Sequence, residues 1–366
     1  MDELANITPT TDEQRVLDQW TAWTAIHAKQ RLLLASVILE AQVTILLARE
    51  IVSGTIAGID LPIPAPTALW DAEDARTWSN TILEAPEPTL CAHDILRNPS
   101  SVGSVMFDVF QSATLIAAYD SVFSERMLES PTSTFHLSLD QAPKLSILQS
   151  IISPDVATQT YFHMSNMARS TPLRALLAVS GESWVFSSRL ANNAAEAEAK
   201  FAEKKTELQT WADNLAPQTE EASRKIALLS ALRILDFAER RENRARAAKM
   251  LGYEIATYLS TLVLWAITLR AQQRTAFEFL TLDTPEPDAM AVNPFHTVPE
   301  FLHHTEADVT AGREPKSRDG VEMVVSWAKK LFRGDTAEDN ELGELYEGSI
   351  IVLNKIQQKG WDHNWF

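Results

Sequence analysis

The chain has 366 residues, of which 45% are apolar, and its formal net charge is −17. This acidic balance argues against nucleic acid as a partner, because affinity for a phosphate backbone comes mainly from clustered Lys and Arg. Cys91 is the only cysteine, which excludes an intrachain disulfide and a Cys-rich zinc module and favours a cytoplasmic protein.

Glycine is scarce, at 11 residues, and apolar residues recur at helical spacing along most of the chain, a pattern that predicts helices. Helices are expected, in chain order, at 11–52, 68–80, 94–97, 105–127, 144–152, 156–169, from Pro172 to an interruption at Gly181, and at 187–213, 219–251, 253–279, 321–332 and 341–359. Prolines favour extended backbone at 62–66 and a surface loop region at 281–318. Residues 1–10 are expected to be flexible. The sequence therefore predicts an all-α fold, a single domain over 1–366 with about a dozen helices around a central pocket.

Three segments combine Leu, Trp and Gly in a distinctive spacing. They are LPIPAPTALWDAEDARTW at 61–78, TPLRALLAVSGESWVF at 171–186 and YLSTLVLWAITLR at 258–270. Together, and in this order, they resemble the regulatory (middle homology) domain of fungal-specific transcription factors, which implies a helical regulatory or ligand-sensing domain. The chain departs from that family in two ways. It shows no upstream DNA-binding zinc module, and its early Trp-x-x-Trp helix continues with His27 and Gln30–Arg31 in place of Glu and a basic pair.

The whole chain also looks like the unusual fungal humulene synthases of tropolone-sesquiterpenoid pathways. Those enzymes are helical, stand-alone chains of this size that lack the usual metal motifs of terpene cyclases. The likeness rests on overall character and on no single motif. It implies a lyase of fungal secondary metabolism, a class I sesquiterpene cyclase that ionises farnesyl diphosphate with Mg²⁺ and forms a humulene-type hydrocarbon.

Ionisation of an allylic diphosphate requires divalent metal and basic side chains around the leaving group. The run RILDFAERRENRAR at 233–246 offers such a set. Asp236, Glu239 and Asn243 fall within about 60° on one helical face, as candidate Mg²⁺ ligands. Arg240 and Arg244 border that face as candidate diphosphate contacts. The alternative interpretation is a solvated helix joined by salt bridges.

A second run, RLANNAAEAEAK at 189–200, has a similar chemistry. Asn192 and Glu196 are candidate metal ligands there, and Arg189 and Lys200 are candidate diphosphate contacts. The alternative is an exposed, Ala-rich helix without a ligand.

A carbocation also requires an aromatic wall that excludes water and stabilises positive charge. Trp184, Tyr161, Phe162 and Trp265 lie in apolar stretches and are the candidates for this role, with plain core packing as the alternative.

Two functional hypotheses follow. The first, which is preferred, is the cyclase, with a prenyl diphosphate as its small-molecule partner. The second is a regulatory, ligand-sensing domain. Neither involves nucleic acid, and a homodimer stays open. The polar N-terminus is not typical of a signal peptide, and no apolar stretch reaches the roughly 20 residues of a membrane span. Phosphate-binding glycine loops, dinucleotide fingerprints and nucleophile elbows are missing from the sequence.

Overall fold

The described part of the chain is all-α, which confirms the predicted fold class. The computed structural model describes residues 13–46, 61–84, 90–98, 106–129, 142–181, 194–213, 218–240, 252–282, 295–333 and 344–362. Within these ranges there are fourteen helices and no strand, apart from an isolated bridge between Pro62 and Cys91. The helices are α1 (Glu13–Leu46), α2 (Thr67–Trp70), α3 (Ala75–Glu84), α4 (Ala92–Arg97), α5 (Val109–Glu129), α6 (Ala142–Ile151), α7 (Val156–Arg169), α8 (Leu173–Ser180), α9 (Ala194–Asp213), α10 (Gln218–Glu239), α11 (Tyr253–Leu282), α12 (Val298–Thr310), α13 (Arg318–Arg333) and α14 (Glu344–Lys359).

The helices divide into two compact units. Among the described residues, unit 1 extends to Tyr161 and unit 2 begins at Phe162. Unit 1 thus holds α1–α6 and the first part of α7, and unit 2 holds the remainder. The single domain expected over 1–366 stays a prediction, and the flexible segment expected at 1–10 lies outside the described residues.

The core of unit 1 is built around Trp23 on α1, where α1 packs against α3 and α5. The Trp23 side chain is buried, and its ring lies 5.7 Å from that of Trp78 and 6.5 Å from that of Trp70. His27, one turn further along α1, stacks on Trp23 with the ring centroids 4.2 Å apart. Both tryptophans of the 61–78 segment therefore contribute to the packing of this unit.

Arg31 continues the same side of α1. Its guanidinium carbon lies 4.9 Å from the centre of the Trp70 ring and 4.3 Å from that of Phe110, so two aromatic faces contact one cation. Phe110 is in the first turn of α5. The extended segment at 62–66 also contacts this turn, because the Gln111 amide donates to the Pro64 carbonyl at 2.8 Å. His27 and Arg31, the positions that depart from the family pattern, are thus packing residues of unit 1.

The single short helix predicted at 68–80 is wrong, because the structure has two helices there. α2 ends at Trp70 and α3 begins at Ala75. The break is stabilised by Asp74, whose carboxylate accepts a hydrogen bond from the Thr77 N–H at 2.7 Å. This hydrogen bond holds the pKa of Asp74 below its usual range. A carboxylate that caps a new helix competes with continuation of the previous one.

Unit 2 is organised around α11. Every residue from 256 to 269 is buried, which is the pattern of a helix surrounded by protein on all sides. α8, α9, α10 and α13 pack against it. The Trp265 indole N–H donates to the Gly360 carbonyl at 3.0 Å, so this buried tryptophan has its polar atom satisfied just after α14. Even so, none of the described helices has the length and apolarity needed to cross a membrane.

α8 carries most of the second family-like segment and is almost wholly buried, with Arg174 as the exception. It ends at Gly181, whose φ of 104° is in the left-handed region that favours glycine at a helix C-terminus. Just before α8, the Ser170 carbonyl accepts a hydrogen bond from the Trp211 indole at 2.8 Å. The described part of the segment therefore forms core, as its apolar stripe predicts.

The surface loop region predicted at 281–318 needs correction, since α12 lies inside it. Thr297 caps this helix, with its hydroxyl oxygen 3.4 Å from the Glu300 N–H that donates to it, and the Glu300 carboxylate accepts from the His296 N–H at 3.0 Å. Pro299 falls in the first turn, where a missing N–H costs nothing. α12 then buries Phe301 and Leu302. The prolines that suggest a loop are therefore compatible with a helix start.

Two glycines allow a matched test of packing. A Cβ added to Gly320 on α13 would lie 2.4 Å from the Phe301 ring, whereas a Cβ at Gly348 on α14 would meet nothing within 4 Å. We expect Gly320→Ala to lower the free energy of unfolding by about 1–3 kcal/mol through overpacking. Gly348→Ala should leave it unchanged or raise it by about 0.4–1 kcal/mol. Chemical denaturation measures both, and equal effects of the two substitutions would contradict the packing of Phe301 against α13.

Candidate functional site

The α10 face predicted to bind metal ends in an ion pair. The half-buried Asp236 carboxylate forms an ion pair with the exposed Arg240 guanidinium, and Oδ2 of Asp236 lies 3.0 Å from Nη2 of Arg240. Glu239 is half-buried on the same turn. Asn243 and Arg244 lie outside the described residues. A predicted metal ligand and a predicted diphosphate contact are thus partners of each other, one helical turn apart.

The second predicted site lies on an exposed helix. Glu196 and Lys200 on α9 form an i,i+4 ion pair at 3.0 Å, and their side chains are 44% and 53% exposed. Asn192 and Arg189 lie outside the described residues. An exposed ion pair of this kind contributes little to stability, and the metal and diphosphate site predicted on this run stays a prediction.

Three of the predicted aromatic wall residues lie in the described part of the chain, and these three are core residues. Tyr161 is buried in unit 1, whereas Phe162 and Trp265 are buried in unit 2. Phe162 meets His163 edge-on with the centroids 5.5 Å apart. Trp184 lies outside the described residues.

The described residues include only part of the predicted Mg²⁺ ligand sets, which therefore stay a prediction. Within the described ranges, no three or more His, Cys, Asp or Glu side chains come close enough together to share a metal ion. Of the predicted ligands, Asp236 and Glu239 share one turn of α10, and Glu196 is on α9. A hard divalent cation prefers several oxygen ligands, and here one of the two carboxylates on α10 already pairs with arginine.

A cavity that the sequence did not predict lies in unit 2 between α12 and the segment that joins it to α13. Its volume is about 510 Å³, which is within the range of small-molecule sites. Phe301 and Phe295 form an aromatic pair on one side, with their rings edge-on and the centroids 5.4 Å apart. The other side is the connecting segment 311–317, which we call the strap, and it contributes Pro315 and Lys316.

Ion pairs fix the strap to α10 and α11. Glu314 pairs with Arg224 of α10 at 2.7 Å and with Arg274 of α11. Burial alone would raise the pKa of Glu314, but the two guanidinium groups outweigh it and hold the pKa below its usual range. Glu314 is therefore an anion across the neutral pH range, and both helices hold it.

Further contacts fix the backbone on both sides of Glu314. The Gln272 amide donates to the Lys316 carbonyl at 2.8 Å, and the Lys225 ammonium donates to the Thr310 carbonyl at 3.2 Å. Arg274 and Arg270 also contact Asp213 at the end of α9, which adds that helix to the network. The strap is therefore fastened at several points.

At the rim of the cavity, Asp308 contacts Arg313 and His304. Its carboxylate accepts from Arg313 at 2.6 Å and lies 3.2 Å from Nδ1 of His304. His304 also packs its ring against Phe295, at 5.1 Å between centroids. The site thus combines an aromatic surface with an ordered set of charges, which suits recognition of a small polar molecule.

Compared with protein-family models, characterised proteins and solved structures, the chain shows no match to any of them.

The sequence does not predict this cavity, because the prolines of 281–318 favour a loop. A usable signal was present, since Thr297 is followed three residues later by Glu300, the spacing of a capping box. The ion pairs of Glu314 join segments far apart in sequence, and no local pattern predicts them.

His163 offers a test of the packing between α7 and α10. Burial, and then the nearby Arg233, lower the pKa of His163 to about 4 from 6.5, and its ring lies 6.1 Å from Phe237. Between pH 4 and pH 6.5 the folded chain binds fewer protons at this residue than the unfolded chain does. The contribution of the neutral His163 to the free energy of unfolding is therefore complete above pH 6.5 and is lost as the pH falls to about 4. We expect His163→Phe to gain stability relative to the natural chain as the pH falls through this window.

The measurement is the free energy of unfolding of both proteins from pH 7.5 to pH 4. The difference between their free energies of unfolding at high pH includes any change in packing. The variation of that difference with pH reports the titration of His163. A difference that stays constant over the whole range would contradict a buried, neutral His163.

Proposed function

We propose that this chain is a regulatory, ligand-sensing helical domain of the kind that fungal-specific transcription factors carry. The observation that carries the proposal is the cavity between α12 and the strap. It is of ligand size, and one wall is fastened by Glu314 to α10 and α11. A ligand there would contact the same segment that those helices hold.

The resemblance supports the proposal because its segments are framework segments. Trp70 and Trp78 pack around Trp23 in unit 1, α8 is buried in unit 2, and the segment at 258–270 forms the buried part of α11. Leu, Trp and Gly at such positions specify packing. They fit a shared helical scaffold better than a shared catalytic site.

The structure suggests how a ligand would act. Ligands shift a protein between conformations only by binding one of them better. A molecule that prefers the fastened strap would stabilise the ion pairs of Glu314, and with them the arrangement of α9, α10 and α11. The surface that unit 2 presents to a partner protein would then depend on the ligand.

A reporter assay in yeast tests this function. The chain is fused to a heterologous DNA-binding module, and transcription from a matching promoter is measured. We expect expression to differ from that of the module alone, and the difference to disappear in Trp265→Asp, which places a charge in the core of unit 2. Expression equal to that of the module alone would count against a regulatory function.

Sesquiterpene cyclisation is the second candidate, and one juxtaposition favours it. Asp236, Glu239 and Arg240 flank Phe237, whose ring neighbours His163 and, through it, Phe162. Acidic and basic groups therefore border aromatic rings on α10. In such an enzyme Mg²⁺ would supply charge neutralisation at the leaving diphosphate, and the rings would exclude water.

Incubation with farnesyl diphosphate and Mg²⁺, followed by gas chromatography of an organic extract, tests the cyclase directly. A cyclase yields hydrocarbon above a blank without protein, and Asp236→Asn reduces the yield because a candidate metal ligand is removed. Lys330→Gln, at an exposed position on α13 that has no predicted role in the reaction, is the control. Absence of hydrocarbon across several prenyl diphosphates would exclude this candidate, whereas a product would displace the regulatory proposal from first place.

A further inference from the structure

We propose that the cavity between α12 and the strap binds a compact aromatic monoanion, such as an aryl carboxylate, with its ring against Phe295 and its charge at Lys316. This rests on the proposed function for its biological meaning. The binding itself can be measured without reference to transcription.

The aromatic surface of the cavity is rigid. Phe301 is almost fully buried, and its ring packs so closely on Gly320 that no Cβ fits between them. Phe295 meets it edge-on, and Pro315 is a buried apolar residue on the strap. Phe301 and Pro315 are already buried, so the surface that a flat apolar group can cover is mainly the half-buried Phe295 ring, at about 25 cal/mol per Å² of apolar area removed from water. An offset or edge-on contact with this ring adds specificity.

The carboxylates of the cavity are already neutralised. Asp308 accepts two hydrogen bonds from Arg313. Glu314 is held between Arg224 and Arg274. A cationic ligand would therefore have to displace an arginine to gain a partner. The lining does not select for positive charge.

Lys316 supplies the remaining positive charge. Its side chain is exposed at the cavity, and within the described ranges it takes part in no ion pair. Its backbone is fixed, because the carbonyl accepts from Gln272. An anchored lysine whose ammonium has no carboxylate partner among the described residues favours an anion. One such group suits a monoanion better than a diphosphate, which usually requires several basic groups or metal.

The size of the cavity agrees with this ligand class. About 510 Å³ suits a molecule of one or two rings. Thr305, buried on α12 between the aromatic pair and Asp308, adds a hydroxyl to the lining. The combination is typical of small-molecule sites, in which a mostly apolar surface gives affinity and a few polar groups set orientation.

Titration calorimetry with 2-naphthoate tests the proposal on the full chain. Two probes of similar shape serve as comparisons: the neutral 2-naphthylmethanol and the cationic 2-naphthylmethylammonium. We expect 2-naphthoate to bind most tightly and to weaken as salt is added, because screening reduces the attraction of Lys316. Comparable affinity for the three probes, or no binding of 2-naphthoate, would overturn the proposal.

Variants of Lys316 locate the charge. Lys316→Gln should weaken 2-naphthoate by about tenfold, which corresponds to ~1.4 kcal/mol, and Lys316→Glu should weaken it further. Affinity for 2-naphthylmethanol should be the same in both variants as in the natural chain. Gly348→Ala, on α14 and outside the cavity lining, is the control for unspecific effects. Unchanged affinity in Lys316→Glu would contradict the site.

The two proposals fail separately. Binding of 2-naphthoate without any effect of the chain on the reporter would leave the site intact and exclude the regulatory function. An effect on the reporter without binding of 2-naphthoate would exclude this ligand class and leave the function in place.

Discussion

The burial of α11 on every side is the constraint on which unit 2 depends. A helix without a solvated face has to satisfy most of its polar side chains internally, because an unpaired buried hydroxyl is costly. Thr257, Ser260 and Thr261 do so within the helix, since each hydroxyl donates to the backbone carbonyl four residues earlier, at 2.7–3.0 Å, whereas the buried Thr268 hydroxyl has no hydrogen-bond partner among the described residues. The whole circumference of α11 is therefore available for packing, and α8, α9, α10 and α13 use it.

The C-terminal part of α11 carries a different chemistry, and this change creates the candidate site. Near the end of the buried stretch come Arg270 and Arg274, which reach Asp213 on α9 and Glu314 on the strap. The arginines are partly exposed and the strap crosses them, so the ion pairs fix a connecting segment that apolar packing alone would not hold. The strap that forms one side of the cavity is thus held by ion pairs to α10 and α11.

Much of the fold could be predicted from the sequence, because helical periodicity is a local property. α1, α7 and α11 begin within two residues of their predicted starts, and the apolar stripe of α8 is buried as expected. The predicted helix bounds are wrong where a single residue at a helix start decides the local structure against the pattern of its neighbours. Asp74 caps a new helix and divides 68–80, and Thr297 with Pro299 begins a helix in a stretch that composition assigns to a loop.

The candidate site was harder to predict from the sequence than the fold, for physical reasons. Asp236 and Glu239 do share a turn of α10, as their spacing predicts, but spacing does not reveal that Arg240 closes on Asp236. Tyr161 and Phe162 are adjacent in sequence and buried in different units. The cavity depends on Glu314 meeting Arg224 and Arg274, which tertiary packing alone brings together. Local patterns predict helices and their faces, whereas the partners of charged side chains follow from the assembled fold.

Hydrogen–deuterium exchange of the full chain, with and without saturating 2-naphthoate, tests the central claim most directly. The account predicts slower exchange of backbone amides in α12 and the strap, with smaller protection spreading to the end of α11, and no change in α5 of unit 1. Protection confined to other helices, or an unchanged exchange pattern when 2-naphthoate is bound, would contradict a ligand-sensing site between α12 and the strap.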